Sequence, residues 1–175
     1  MCKLLSYALP ALALFVISCN TDHAAEIASN KESGDSAEVI LKDYGAESTV
    51  LNIDAYTKQN ENFRTVLWTG SNMQVTLMSI PVGSEIGLEM HEGMEQFLRV
   101  EEGEGKVFIG NAKDSLDFVK DIADDDAVMV PGGKWHNVVN TGNSPLKIYS
   151  IYAPVEHPKG AVHKTKEESD AAHDH

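Results

Sequence analysis

GSEIGLEMHEGMEQFLRVEEG, residues 83–103, and DAVMVPGGKWHNVVN, residues 126–140, decide the reading of this chain. Each reads as a strand, a tight Gly/Pro corner and a second strand. Between them they hold Glu89, His91, Gln96 and His136, whose oxygen and nitrogen atoms suit a divalent metal. Successive residues of a strand face opposite ways, so Glu89 and His91 share a face, with Leu88 and Met90 on the other. Facing outward, the pair merely offers solvent two polar groups. Facing inward, it sets a carboxylate in a low-dielectric interior, where a cation, a proton or a matched donor is needed. Alternation alone leaves that choice open.

The partner strands sharpen the contrast. Gln96, Leu98 and Val100 share a face against Phe97, Arg99 and Glu101, and the aliphatic pair marks the Gln96 side as inner. Arg99 is then expected to point outward and pair with a glutamate. In HNVVN, His136, Val138 and Asn140 share a face, with Trp135 opposite as a packing residue. Pro131-Gly132-Gly133 sets a stiff corner before His136, which suits a firmly held ligand.

Period-two alternation extends outward from these stretches. From about Val50 the runs are FRTVLWTG, MQVTLMSI, EIGLEMH, EQFLRVEEG, KVFIG, SLDFVKDI, AVMV, HNVVN and LKIYSIYA, separated by turn residues. Roughly nine short strands with no convincing helix between them predict a closed antiparallel barrel or jelly roll. Tyr149, Ser150 and Tyr152 lie on the last long strand, and one of them is a candidate proton donor to the pocket.

At this point the spacings resemble those of a small bacterial cupin. The first cupin motif runs Gly, five residues, His-x-His, three or four residues, Glu, six residues, Gly. Here Gly83 is followed after five residues by Glu89-x-His91, after four by Gln96 and after six by Gly103. The second motif runs Gly, five residues, Pro-x-Gly, two residues, His, three residues, Asn. Asp125 stands at its Gly position, and Pro131-x-Gly133, His136 and Asn140 fall at the matching spacings.

The resemblance implies an all-β cupin double-stranded β-helix, a single jelly-roll barrel over residues 50–158. It also implies pairing as a homodimer. Two positions depart from the pattern: Glu89 stands where the first His is usual, and Gln96 where the Glu is usual. The carboxylate has changed place, leaving Glu89, His91 and His136 as a two-His, one-carboxylate set with Gln96 as a neutral fourth donor. Such a set suits one divalent transition metal, Fe, Mn, Ni or Zn, with open positions for a ligand. The alternative is a metal-free cupin in which Glu89 and His91 pair with each other or with a ligand.

The termini read differently. LLSYALPALALFVIS after Met1-Cys2-Lys3 is an apolar run of signal-peptide length, and Val16-Ile17-Ser18-Cys19 resembles a bacterial lipobox. The expectation is a lipoprotein signal peptide over 1–18, lipidation at Cys19 and attachment to a bacterial membrane on its exported side. An ordinary secretory signal or an uncleaved anchor is the competing reading. Residues 19–49 read as a flexible tether, with a docking element around Val39-Ile40-Leu41; the first half of the stretch after Pro154 could fold back as an arm across the barrel, and residues 159–175 read as a charged tail. His157 and His163 are read as surface histidines that could cap the mouth, and the His173-Asp174-His175 end as a feeble metal scavenger. Removal of the signal would leave Cys19 as the lone cysteine, so no intramolecular disulfide is expected.

A net charge of −13 with no basic stripe argues against a nucleic-acid partner and against docking on anionic lipid heads. Two functions remain. One is a metal-dependent enzyme on a small organic molecule, of oxygenase or isomerase type. The other is a non-catalytic cupin that binds a metal or a small ligand at the cell envelope.

Overall fold

The structure is a computed structural model that describes residues 37–173. The expected signal peptide, Cys19 with its lipid, the first part of the tether and the last two residues lie outside the described residues. Among the described residues the chain forms ten strands and two helices. They are α1 (Ile53–Gln59), β1 (Arg64–Thr69), β2 (Gln74–Ile80), β3 (Glu89–Met90), β4 (Glu95–Glu102) and β5 (Glu104–Gly110). β6 (Phe118–Ala123), β7 (Ala127–Val130), β8 (Trp135–Asn140), β9 (Leu146–Ala153), β10 (Val162–His163) and α2 (Lys166–His173) follow.

The nine expected strands are all present, and the tenth is a two-residue strand in the segment after Pro154. They make two antiparallel sheets. One has the order β10-β1-β2-β9-β4-β7 and the other β3-β8-β5-β6. This is the jelly roll that the resemblance implies: the two motif stretches contribute β3-β4 and β7-β8, one strand of each pair to each sheet.

Alternation sets the core. Along β4, Gln96, Leu98 and Val100 are buried while Phe97 and Arg99 are only partly so. Along β8, His136, Val138 and Asn140 are buried and their neighbours are half-buried. Leu98, Val100, Val107, Val138 and Ile148 meet Met78 and Ile80 in one apolar cluster between the sheets. Each such aliphatic side chain contributes about 1.5–3 kcal/mol through burial. Arg99 points outward and pairs with Glu101 and Asp125, as alternation requires.

Two glycine-type positions carry the corners. Gly133 adopts φ +77°, and its N–H donates to the carbonyl of His91 at 2.9 Å, tying one motif corner to the other. Asp125, at the cupin motif's glycine position, has φ +72°, the left-handed conformation that glycine takes without strain.

Two differences from the sequence reading concern the barrel's flanks. First, α1 precedes β1 where no helix was expected. Asn52 caps it by accepting from the Ala55 N–H, and Asp54 and Lys58 sit at the ends that suit their charges. Second, the expected tether does not run to residue 49, because residues 37–49 dock on the barrel. Gln59 exchanges hydrogen bonds with Val39 N and Ala37 O, and Tyr44 N donates to Leu67 O at 2.8 Å. The physical reason is a set of isolated hydrogen bonds, one of them between backbones, which a polar composition does not reveal.

The segment after Pro154 folds back as an arm. β10 pairs with β1, and Ser169 of α2 meets the buried Arg64 guanidinium. His157 is 4% exposed, so it is an interior residue rather than the surface histidine expected.

Candidate metal centre

β3 and β8 are neighbours, and the register sets Glu89 opposite His136. On the first motif stretch, His91 follows Glu89 by two residues and so projects to the same side. β4 brings Gln96, and the structure resolves the open choice of face: all four side chains point into the barrel. Gln96 is 3% and His136 1% exposed.

Their donor atoms converge. Glu89 Oε1 lies 3.4 Å from His91 Nε2 and 3.3 Å from His136 Nε2, and one ligand atom from each residue lies within 4.8 Å of the others. Gln96 Oε1 is 2.7 Å from His136 Nε2. Ligand atoms on a common metal with bonds of about 2.1 Å sit ~3.0–3.4 Å apart, so the carboxylate–imidazole spacings fit a shared cation.

The hydrogen-bond inventory agrees. His136 Nδ1 is 3.1 Å from the Lys134 carbonyl, which accepts only, so Nδ1 carries the proton there. Nε2 then turns a lone pair toward the amide of Gln96. Two acceptors at that distance require a proton or a metal ion, or the amide must turn so that its NH2 donates. Glu89 Oε1 and His91 Nε2 are buried atoms without a well-formed hydrogen bond, although each faces the other. An unmatched pair of that kind is costly in a low-dielectric interior, and a cation between them removes the cost.

Electrostatics in the absence of metal follow from the same contacts. Burial alone would raise the Glu89 carboxyl, but the His136 and His91 imidazoles overcome it and hold the group well below the usual carboxylate range. Burial would likewise lower His91, yet the Glu156 and Glu89 carboxylates on its two nitrogens push it up to about 9. The Tyr152 hydroxyl is held far above its ordinary value, chiefly by burial, so it stays a neutral donor.

Tyr152 is the member of the Tyr149–Tyr152 group that reaches the site. Its ring meets His91 edge-on at 5.9 Å and His157 at 5.0 Å, while Tyr149 stacks outside against Phe97. The sequence reading missed Glu156, whose Oε1 lies 3.3 Å from His91 Nδ1. It belongs to neither motif, and a lone glutamate in a charged arm carries no spacing signal.

Comparison with known proteins bears on this fold and site. A family signature described as "Cupin domain" matches residues 76–152. The chain is 54% identical over 144 residues to the uncharacterized protein YrkC of Bacillus subtilis, covering 82% of this chain and 77% of that one. It is also similar to a crystal structure from Bacillus halodurans, at 56% identity and a TM-score of 0.74, over 75% of this chain and 99% of that one. A 74-residue segment is 35% identical to an oxalate-binding protein of Thermotoga maritima, covering 42% of this chain and 56% of that protein. With both motif stretches inside the matched region and two antiparallel sheets enclosing the convergent donors, the chain belongs to the cupin family.

Proposed function

We propose that this cupin binds one divalent transition metal through Glu89, His91 and His136, with Gln96 as a fourth donor, and acts there on a small organic molecule. The observation that carries the reading is the convergence of two imidazoles and one carboxylate on a common point inside the barrel. The donor set is oxygen and nitrogen without thiolate, which suits Fe(II), Mn, Ni or Zn rather than softer ions. A bound metal would polarise a substrate oxygen as a Lewis acid.

The chain's own residues set the surroundings. Gln96 offers an amide oxygen next to His136, and the buried ring of Tyr152 packs edge-on against His91. The side chain of Glu89 is 20% exposed and that of His91 11%, while the donor atoms that face the cluster are buried.

A lipid on Cys19 and residence at the bacterial envelope belong to the same proposal, supported by the VISC lipobox and the apolar run before it. A homodimer is supported by exposed Phe118, Val119 and Met129 on the edge strands β6 and β7. Elemental analysis of the purified chain tests the core of the reading. The wild type should carry close to one transition metal per chain and His136→Ala should lose it; both proteins equally empty would sink it. Retained metal without turnover on any small-molecule panel would favour the non-catalytic binding function.

A further inference from the structure

We propose that Glu156 is a positioning residue for the metal centre. Its carboxylate accepts the Nδ1 proton of His91 and thereby turns a bare Nε2 toward Glu89 and His136. The inference rests on the metal reading above and adds a residue from outside both cupin motifs.

The His91 ring is bracketed. Nδ1 faces Glu156 Oε1 at 3.3 Å, and Nε2 faces Glu89 Oε1 at 3.4 Å. A ring so held has one nitrogen for the metal and one for an outer acceptor. Glu156 therefore acts through His91 instead of joining the ligand atoms. His136 repeats the pattern with a different acceptor, since its Nδ1 faces the Lys134 carbonyl while Nε2 faces the cluster. Both imidazoles are thus oriented from behind by an oxygen, the arrangement that fixes tautomer and ring angle at metal-bound histidines.

Glu156 is also firmly carried. The backbone of the next residue, His157, is clamped by Gln74: His157 N donates to Gln74 Oε1 at 2.8 Å, and Gln74 Nε2 donates to His157 O at 2.9 Å. The His157 ring packs on Tyr152, which packs on His91. Further along, Val66 N donates to Ala161 O at 2.9 Å and β10 joins the sheet. The arm is therefore built into the barrel edge, and its carboxylate is delivered by backbone anchors close to the site.

The test is metal affinity by chelator competition with Zn(II), on the whole chain, for wild type, Glu156→Ala, Glu156→Gln and Glu95→Gln. Losing an outer carboxylate typically weakens metal binding about 10- to 100-fold, which is the loss expected for Glu156→Ala. Glu156→Gln keeps an oxygen that can accept from Nδ1, so it should recover part of that loss. Glu95 is exposed at the rim, and its Gln variant controls for removal of one negative charge; it should stay within about twofold of wild type. Nitrogen-15 NMR of the zinc-loaded chain should show a His91 Nδ1 proton protected from exchange in wild type and unprotected in Glu156→Ala. Equal affinities for Glu156→Ala and wild type would overturn the inference and leave the metal reading intact. So would an equal loss in Glu95→Gln. A wild type that binds no zinc would overturn both.

Discussion

Glu89 has to be ionised to serve as a ligand, and in a barrel interior that is unfavourable unless positive charge stands beside it. His91 supplies that charge in the metal-free protein, and Glu89 and His91 shift in opposite directions as a result. His91, raised from 6.5 to about 9, contributes stability that is fully present below pH 6.5 and fades as pH rises through about 9. Glu89, depressed below its ordinary 4.5, contributes stability present above that value and lost in acid. The two overlap between pH 4.5 and 6.5. In the metal-free chain, the melting-temperature deficit of His91→Asn should be largest in that window and shrink as pH rises through about 9, leaving the pH-independent loss of ring packing. Metal must displace the His91 proton, so affinity should rise with pH up to about 9, with about one proton released per metal at neutral pH. Titration calorimetry in buffers of different ionisation enthalpy reads that proton. Gln96 and His136 were legible in the sequence because an aliphatic partner and a Pro-Gly corner marked their face. Glu89 and His91 could be paired by alternation but not aimed, because aiming them took the register between β3 and β8.

At the scale of single elements, β5, β7 and β8 follow alternation throughout and β4 as far as Val100, whereas β1 and β2 are buried on both faces over most of their length. Ile148 of β9 is fully buried in the apolar cluster, and Ile148→Ala should cost about 2–5 kcal/mol in denaturant unfolding. The turn before β7 makes a different point. Asp125 occupies a glycine position in the motif and keeps the glycine conformation, paired through its carboxylate to Arg99. A β-branched side chain there meets the full steric cost of positive φ, so Asp125→Val should destabilise by about 1–2 kcal/mol. Asp125→Gly should fall within about 1 kcal/mol of wild type, because glycine tolerates the angle while the exposed ion pair contributes little. The same melts would check both. α1 was missed because seven residues give too few turns for helical periodicity to stand out, although Asn52, Asp54 and Lys58 were its end signals.

Over the whole described molecule, segments from both ends close on the barrel. Asp43 of the docked N-terminal segment accepts from Thr69 Oγ1 of β1 at 2.7 Å and from the Gly160 N–H of the arm at 2.9 Å. One carboxylate thus joins three parts of the chain. Asp43→Ala should speed limited proteolysis between residues 154 and 165 while the barrel stays protected, as mass spectrometry of the fragments would show. Both closures were readable only in part, as a docking element around Val39-Ile40-Leu41 and an arm folding back after Pro154. Most of residues 37–49 look like tether by composition, and the last dozen residues look like frayed tail, because both ends are held largely by isolated polar contacts and a few backbone pairs. The barrel between them was readable, since two motifs at fixed spacing and a long run of alternation all demand it. The account depends most on Glu89, His91 and His136 sharing one ion. Anomalous diffraction from crystals of the metal-loaded chain is the most direct measurement of that. It should give one peak within bonding distance of Glu89 Oε1, His91 Nε2 and His136 Nε2. A peak elsewhere, or none on a chain saturated with metal, would contradict it.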